Sequence, residues 1–289
     1  MNSLSTNSKK QYLYYWNVFS AFVSSNLTCN LLDCKQRHIE YFVAHLHHEK
    51  RLSVASIRTY LSAIAFHFQS QHLRDPTKSF IITAMLKGYG KHDPKQAIRR
   101  AITSNILIKL QNNLFSSSLS RYYKLTYFFV YFMMYHAALR VSEICFTATP
   151  HHALTFSSVH YCPNRTSLIL QLCTYKHSNR SPPPIVIHCT DLVRDLFLKF
   201  IRLRGNYPGQ LFCHPSRDPI TRDSLVTQLR YQLSSLGYDP LLFNTHSFRI
   251  GKITDMHREG KSELQIRSIG RWSSSAYLKY IKPTYIVSN

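Results

Sequence analysis

The feature that most constrains this chain is the apolar run at residues 125–139 (LTYFFVYFMMYHAAL). It is shorter than the roughly 20 apolar residues that cross a bilayer, and it contains tyrosine and histidine. We therefore predict a helix buried in the core of a folded domain, not a membrane span. Hydrophobic residues make up 44% of the sequence, which is enough for such a core and excludes a disordered basic tail.

Positive charge is in large excess. The 289 residues include 36 Lys and Arg against 14 Asp and Glu, a formal net charge of +22 at pH 7. Self-repulsion destabilises a compact chain of this charge unless a polyanion neutralises it, and a phosphate backbone is the commonest such partner. Charge alone leaves a basic protein of the membrane surface as an alternative.

The seven cysteines are predicted to be reduced thiols in an intracellular protein. Their number is odd, no CxxC pair occurs, and Cys145 and Cys173 lie in apolar stretches where buried thiols are expected. The start, MNSLSTNSKK, lacks the apolar segment of a secretory signal. Cys29, Cys34 and His38 have metal-like spacing without a clear fourth ligand, so we interpret it as coincidence and predict no metal and no cofactor.

A basic linker is predicted at residues 89–100, between a first part at 1–88 and a second at 101–289. Apolar residues three and four apart predict that the first part has four helices. They lie at residues 8–24, at 34–50, after the N-cap Ser53, and at 78–87.

Exposed basic and hydroxyl side chains of this region are candidates for contacts with DNA phosphates. On the third helix, Arg51, Arg58 and Ser62 are predicted to lie on the open side, and Arg99 and Arg100 belong to the linker. The alternative is an ordinary solvated helix face.

The second part is predicted to be mainly α-helical with a small β-hairpin. Its first helices are expected at residues 102–115 and 122–138. Strands at 167–175 and 184–188 are separated by a polar turn, and helices return after residue 191.

Three segments of the second part are candidates for chemistry. Arg140 directly follows the apolar run, where an arginine requires an anionic partner, and Glu143 three residues later could orient it. A structural ion pair is the alternative. His246 and Arg249 are placed about one helical turn apart, so that both could bind one phosphate, although a histidine at a helix start is often only a cap.

The third segment contains Trp272, Tyr277 and Tyr280 around a serine cluster. A tyrosine becomes a nucleophile only beside positive charge or a base, which Arg140, Arg249 and His246 could supply. Ordinary aromatic packing is the alternative for each ring.

In this order, ALRVSE, HSFRIG and GRWSSSAYLKYI resemble the tyrosine recombinase (phage integrase) family. They look most like the branch carried by DIRS and Crypton mobile elements. The resemblance implies a helical core-binding (SAM-like) domain at 1–88 and an α+β catalytic domain at 101–289. Ala138 departs from the family, in which glycine is common at this place.

The resemblance also implies a role for each matching residue. Tyr280, followed by Ile281, matches the nucleophile that forms a 3′-phosphotyrosine, with Tyr277 as its rival. Arg140 and Arg249 would neutralise the phosphate oxygens, with Glu143 as the acidic residue after the first arginine. Lys176 matches the general acid of the β-hairpin, while His246 and Trp272 match the remaining site positions.

The function implied is metal-independent, site-specific cleavage and rejoining of DNA strands by a recombinase of a mobile element. Its partners would be double-stranded DNA and further copies of the chain, as a dimer to tetramer on DNA, without a membrane. The nucleus is the implied location in a eukaryote, and otherwise the cell interior. The main alternative is a catalytically inactive or domesticated DNA-binding protein. A type IB topoisomerase shares the chemistry, but the first part resembles the recombinase kind.

Overall fold

A computed structural model of the chain describes residues 6–93, 99–146, 152–173 and 183–281. The chain divides into two compact units, Met1–Gln96 and Ala97–Asn289, and each has its own hydrophobic core. Within the described ranges, no helix combines the length and the apolar character that crossing a membrane requires.

The amino-terminal unit contains the four predicted helices, which the structure confirms. Their apolar stripes meet in a core that includes Phe19, Ile39, Phe42, Ile57 and Ile64. The helices are α1 (Thr6–Asn26), α2 (Gln36–His48), α3 (Val54–Ser70) and α4 (Phe80–His92).

Serine side chains set the starts of two of these helices. The Ser53 hydroxyl accepts a hydrogen bond from the Ser56 backbone N–H, as the predicted N-cap of α3 should. The Ser79 hydroxyl accepts one from the Ile81 N–H, so α4 begins at Phe80, slightly later than predicted.

The carboxy-terminal unit is built around the predicted buried helix, which is confirmed. Every residue from Leu125 to Tyr135 is buried. The chain leaves this helix at Ala138, whose φ of +45° is the left-handed conformation that glycine adopts most easily. The helices of the unit are α5 (Ser104–Ser116), α6 (Arg121–His136), α7 (Asp191–Arg204), α8 (Arg222–Ser235), α9 (His246–Arg258) and α10 (Glu263–Gly270).

A small antiparallel sheet accompanies these helices. The predicted hairpin strands are present and paired, with Ser167 opposite His188, but the first ends at Leu170, before its predicted end at residue 175. The predicted turn between them falls largely outside the described residues. A further strand, VHYC, was not predicted, because it contains a single aliphatic residue, whereas each hairpin strand contains three. The strands are β1 (Val159–Cys162), β2 (Ser167–Leu170) and β3 (Ile185–His188), in the order β1-β2-β3. Cys173 lies beyond β2 and is exposed, so the prediction that it is buried was wrong, whereas Cys145 is buried.

Helix α9 is held closely against the start of α5. The Ile102 backbone N–H donates to the Ser247 carbonyl at 2.9 Å, and a Cβ at Gly251 would lie 1.7 Å from the Ile102 carbonyl oxygen. The Asp255 carboxylate accepts hydrogen bonds from the Ser104 N–H at 2.7 Å and from the Tyr135 hydroxyl at 2.5 Å. These contacts fix α9 relative to α5 and α6, and with it the segment that carries His246 and Arg249.

Candidate active site

The carboxy-terminal unit has a cleft of about 1050 Å³. Among the residues singled out in the sequence, five line it: Arg99, Arg140, His246, Trp272 and Tyr280. Arg140 follows α6, His246 begins α9, and the two aromatic residues follow α10. The fold therefore brings side chains from distant segments to one surface.

The lining of this cleft is strongly basic. Three further arginines, Arg222, Arg267 and Arg271, line it together with Arg99 and Arg140, and none of its described lining residues is Asp or Glu. A concave surface lined by one sign of charge focuses the electrostatic field within it. The cleft is therefore suited to a polyanion such as a phosphodiester backbone.

A buried carboxylate joins two of the arginines. The Glu143 side chain is 1% exposed and lies in a short 3-10 turn after Arg140. Its Oε2 accepts hydrogen bonds from the Arg140 backbone N–H at 2.8 Å and from Arg271 Nη2 at 2.6 Å. Its Oε1 lies 3.3 Å from Arg140 Nη1. The carboxylate therefore offsets the repulsion between the two guanidinium groups and holds both beside the cleft.

Arg271 is a site residue that the sequence reasoning missed. It ends α10 in the left-handed conformation, with φ +55°, and its Nη1 donates to the Ala137 carbonyl at 3.1 Å. Its position next to the candidate residue Trp272 was the one feature of the sequence that could have indicated a place in the site. Arg222 and Arg267 lie on separate helices without any local motif, so nothing in the linear pattern indicated them.

The Trp272 ring lies directly over Gly270. A Cβ at that glycine would come within 1.9 Å of the indole ring. The Trp272 backbone N–H donates to the Arg267 carbonyl at 3.0 Å, which fixes the turn after α10. Only a residue without a side chain lets the indole occupy this position at the cleft wall.

Arg249 lies beneath the cleft and is not among the residues that line it. It is 0% exposed, its Nη1 donates to the Ala138 carbonyl at 2.6 Å, and its Nη2 donates to the Gly270 carbonyl. The Arg249 Cζ is 4.3 Å from the centroid of the Trp272 ring and 5.8 Å from that of Tyr280. In this conformation the two rings cover the guanidinium.

The charge of Arg249 persists despite this burial. Burial, together with the positive charges of Arg140 and Arg271, lowers the pKa of Arg249 to about 9. The side chain is therefore still a cation at neutral pH. The faces of the two aromatic rings above it attract a cation electrostatically.

His246 is a neutral imidazole at physiological pH. Burial is the largest cause, followed by the positive charges of Arg249, Arg99 and Arg140, and together they lower the His246 pKa to about 4. Its backbone N–H donates to the Asn244 side-chain oxygen at 2.8 Å at the start of α9. This imidazole is a weak base in the free protein, and a phosphate anion that offsets the arginine charges in the cleft would make it a stronger one.

The two candidate tyrosines have different surroundings. Tyr280 lines the cleft, with its ring centroid 5.2 Å from that of His246 and 4.9 Å from the nearest Trp272 ring. Tyr277 is buried in a small cluster with Ile253 and Ile266. The phenol that shares the cleft with the arginines is therefore that of Tyr280.

The remaining sequence-predicted residues lie elsewhere. Lys176 falls outside the described residues. Arg100 is half-buried, and its N–H donates to the Leu242 carbonyl at 2.7 Å. Arg51, Arg58 and Ser62 are exposed in the amino-terminal unit, where the Ser62 hydroxyl donates to the Arg58 carbonyl at 2.8 Å.

We expect the carboxy-terminal unit to lose stability as the pH falls from 6.5 towards 4. Burial lowers the pKa of His136, like that of His246, from 6.5 to about 4. Both groups therefore bind protons more weakly in the folded state, and acidification favours the unfolded chain. At pH 5 each histidine lowers the free energy of unfolding by roughly 2 kcal/mol relative to neutral pH, at 1.36 kcal/mol per pKa unit.

Urea unfolding at pH 7.5 and pH 5, followed by Trp272 fluorescence in a Trp16→Phe background, measures this loss. A His246→Gln variant should show a smaller loss, whereas substitution of the exposed His257 by glutamine should leave the loss unchanged. An equal pH dependence in all three chains would contradict the buried, neutral state of His246.

Comparison with known proteins identifies the fold. Residues 1–77 match the model of the phage integrase N-terminal SAM-like domain, and no curated protein sequence matches the chain. Among solved structures, the integrase of the Tn1549 transposon in complex with transposon right end DNA has a TM-score of 0.69 at 14% identity, over 99% of this chain and 91% of that chain.

Two further solved structures are similar to the chain. XerH site-specific recombinase bound to its difH substrate has a TM-score of 0.66 at 13% identity, over 95% of this chain and 76% of that chain. A lambda integrase dimer bound to a core site has a TM-score of 0.61 at 12% identity, over 99% of this chain and 74% of that chain. This chain therefore has the fold of the tyrosine recombinases, with a phage integrase SAM-like domain at its amino-terminal end.

Proposed function

We propose that the chain is a site-specific DNA recombinase that cuts and rejoins DNA strands through a covalent bond to Tyr280. The observation that carries the proposal is the meeting of Tyr280, His246 and Arg140 in one arginine-lined cleft. The fold shared with three DNA-bound recombinases and integrases supports it.

The first requirement is that a phosphodiester is held against the phenol. Arg140 is oriented by the buried Glu143 carboxylate while its own side chain is 23% exposed, so its remaining N–H groups are available at the cleft. Guanidinium groups bind phosphate oxygens with two parallel hydrogen bonds. Arg140 thus binds the non-bridging oxygens and neutralises the charge that grows on them in the transition state.

The second requirement is a base for the phenol. The Tyr280 oxygen attacks phosphorus, the bond from phosphorus to the 5′-oxygen breaks, and a 3′-phosphotyrosine and a free 5′-hydroxyl result. The phenolic proton passes to His246, whose ring is adjacent and neutral. Attack by the 5′-hydroxyl of another strand reverses the step, so no cofactor and no external energy source is needed.

The leaving 5′-oxygen must gain a proton. We assign this role to Lys176 on the basis of its match to the hairpin lysine of the family, and this residue lies outside the described part of the chain. Trp272 lies at the cleft wall, where its indole N–H can donate to a further phosphate oxygen.

Arg249, unlike Arg140, does not face the cleft in the free protein. Its guanidinium is covered by Trp272 and Tyr280 and bonded to two backbone carbonyls. A direct contact with phosphate requires these rings to move, so DNA binding and uncovering of Arg249 belong to the same event. Its positive charge acts on the cleft in either arrangement.

The rest of the protein is assigned to DNA binding. In the amino-terminal part, proposed as residues 1–88 with a linker at 89–100, the exposed Arg51, Arg58 and Ser62 contact phosphates. We assign the same role to Arg99, which lines the cleft, and to the adjacent Arg100. Two to four copies assemble on duplex DNA. The motifs favour a mobile element of the DIRS or Crypton kind and the nucleus of a eukaryotic host.

A second candidate function is DNA binding without catalysis, as in a domesticated recombinase. The buried state of Arg249 favours it, because a guanidinium bonded to protein carbonyls does not face a substrate. In this case the basic cleft holds DNA, but Tyr280 forms no bond to it.

A nicked suicide duplex separates the two functions. Duplexes are first selected from a randomised pool for binding to the full chain and are then nicked at successive positions. The nick lets the short fragment that carries the free 5′-hydroxyl diffuse away after cleavage, which traps the adduct. The recombinase is expected to remain attached to DNA after denaturation, with the adduct on the peptide that contains Tyr280. Binding without an adduct would support the second function, and no binding even at low salt would reject both.

A further inference from the structure

Three possible metal ligands lie together in the amino-terminal unit, where the sequence spacing was interpreted as coincidence. Cys29 lies in the connection after α1, Cys34 precedes α2, and His38 is in the first turn of α2. The two sulfurs and a histidine ring nitrogen all lie within 4.8 Å of one another. The sequence places eight residues between the first and last ligand and does not reveal this closeness, because it depends on how the connection folds back.

The interatomic distances are those of a tetrahedral metal site. Cys29 Sγ is 3.7 Å from Cys34 Sγ and 3.5 Å from His38 Nδ1. Tetrahedral zinc bonds of about 2.3 Å to sulfur and about 2.0 Å to nitrogen place two sulfurs about 3.8 Å apart, and a sulfur and a nitrogen about 3.5 Å apart. Thiol hydrogen bonds have similar lengths, so what favours a metal is that all three donor atoms converge at separations that a zinc ion requires.

We propose that Cys29, Cys34 and His38 bind a thiophilic divalent cation, Zn²⁺, which clips the α1–α2 connection to the start of α2. Two thiolates and one imidazole form a donor set that zinc prefers to magnesium or calcium. Cys34 is buried, whereas Cys29 is half-exposed, so water reaches the fourth position of the tetrahedron from the Cys29 side.

Binding requires small local exchanges. The Nδ1 lone pair of His38 accepts the Lys35 backbone N–H at 3.1 Å, so this hydrogen bond must break and the Lys35 N–H must move aside before a metal can bind Nδ1. Because Nδ1 accepts a hydrogen bond, Nε2 carries the ring proton. The Arg37 Nε, 3.2 Å from Nε2, belongs to an exposed side chain that can turn towards solvent. The first change shifts the backbone at Lys35, the N-cap of α2, and the second moves only an exposed side chain.

The consequence is structural and does not depend on the recombinase function. The core of the unit includes Cys34 and is packed against Cys29 and Leu31, so a metal at this point links the connection to the core. A ligand that binds only the folded state raises the free energy of unfolding by RT ln(1 + L/Kd), where L is the free ligand concentration, so the unfolding temperature rises with the logarithm of L. Zinc is therefore expected to stabilise the amino-terminal unit.

The test uses the full chain, reduced and freed of metal, with Co²⁺ as a spectroscopic probe and Zn²⁺ as competitor. One Co²⁺ per chain is expected, with a thiolate-to-metal charge-transfer band and the strong visible absorption of tetrahedral cobalt, both removed by one equivalent of Zn²⁺. Cys29→Ser and His38→Gln should each weaken binding at least tenfold, whereas substitution of the exposed Cys173 by serine should not.

Thermal unfolding with and without Zn²⁺ is the second measurement. It shows whether a variant that fails to bind Co²⁺ is still folded. The wild-type chain and Cys173→Ser should unfold at a higher temperature with Zn²⁺ than without it, and Cys29→Ser should show no such shift. The absence of a thiolate band in the reduced wild-type chain, or an unchanged band in Cys29→Ser, would overturn the proposal. Formation of a Cys29–Cys34 disulfide without any metal affinity after reduction would overturn it as well.

Discussion

A Tyr280→Phe variant is expected to bind duplex DNA like the wild-type chain and to form no covalent adduct with it. The substitution removes one oxygen from a ring that lies at the cleft, with its centroid 5.2 Å from that of His246. The ring itself remains to cover Arg249, so the fold and the basic lining are preserved. Removal of the nucleophile from a covalent mechanism lowers turnover by at least about 10³-fold.

The matched control is Tyr277→Phe, which removes the same atom three residues earlier. Tyr277 is buried in the cluster with Ile253 and Ile266, away from the cleft lining, so this variant should still form the adduct. The measurement is the fraction of nicked duplex retained on protein after denaturation, beside a filter-binding isotherm for intact duplex. If the adduct survives in Tyr280→Phe and disappears in Tyr277→Phe, the assignment of the nucleophile is wrong.

A Glu143→Gln variant is expected to be both less stable and inactive. The carboxylate is 1% exposed and faces Arg140 and Arg271, so its neutralisation leaves two guanidinium groups close together without their shared anion. Loss of one partner from a buried ion pair costs about 3–5 kcal/mol. Because Arg140 would also lose its orientation, adduct formation should fall even under conditions in which the variant is fully folded.

Glu263→Gln is the control for charge alone. Glu263 pairs with Arg267 at 3.6 Å on the surface, with a side chain that is 54% exposed, and such pairs contribute less than about 1 kcal/mol. Urea unfolding gives the stability of both variants, and suicide-duplex trapping at low temperature gives their activity. Equal stability of the two variants would show that Glu143 does not hold the arginines as described.

The sequence predicts what depends on local pattern. The buried run that became α6 and the apolar stripes of α1 to α4 follow from spacing alone, because a helix exposes its periodicity in the linear order. Strand β1 was missed because a single aliphatic residue among four does not mark a strand in the linear order. Arg140, His246, Trp272 and Tyr280 were chosen as candidates by resemblance to a family, and the structure places all four at one cleft.

Other features depend on contacts between distant segments and were not predictable in this way. The hydrogen bond from Arg271 to Glu143 joins residues 128 positions apart, and Arg249 is covered by residues that follow α10. The approach of Cys29 to His38 depends on the path of a connection without helical periodicity. A linear pattern contains no information on such approaches.

The covered position of Arg249 has a consequence for how a recombinase with this site would divide its binding energy. In the free protein the guanidinium already has two carbonyl acceptors, so a ground-state phosphodiester, with a single negative charge, replaces bonds that exist and adds little affinity. A pentavalent phosphorus carries additional negative charge and attracts the same cation more strongly. Arg249 would thus raise kcat more than it lowers the Kd for duplex, which is how an enzyme favours the transition state over the ground state.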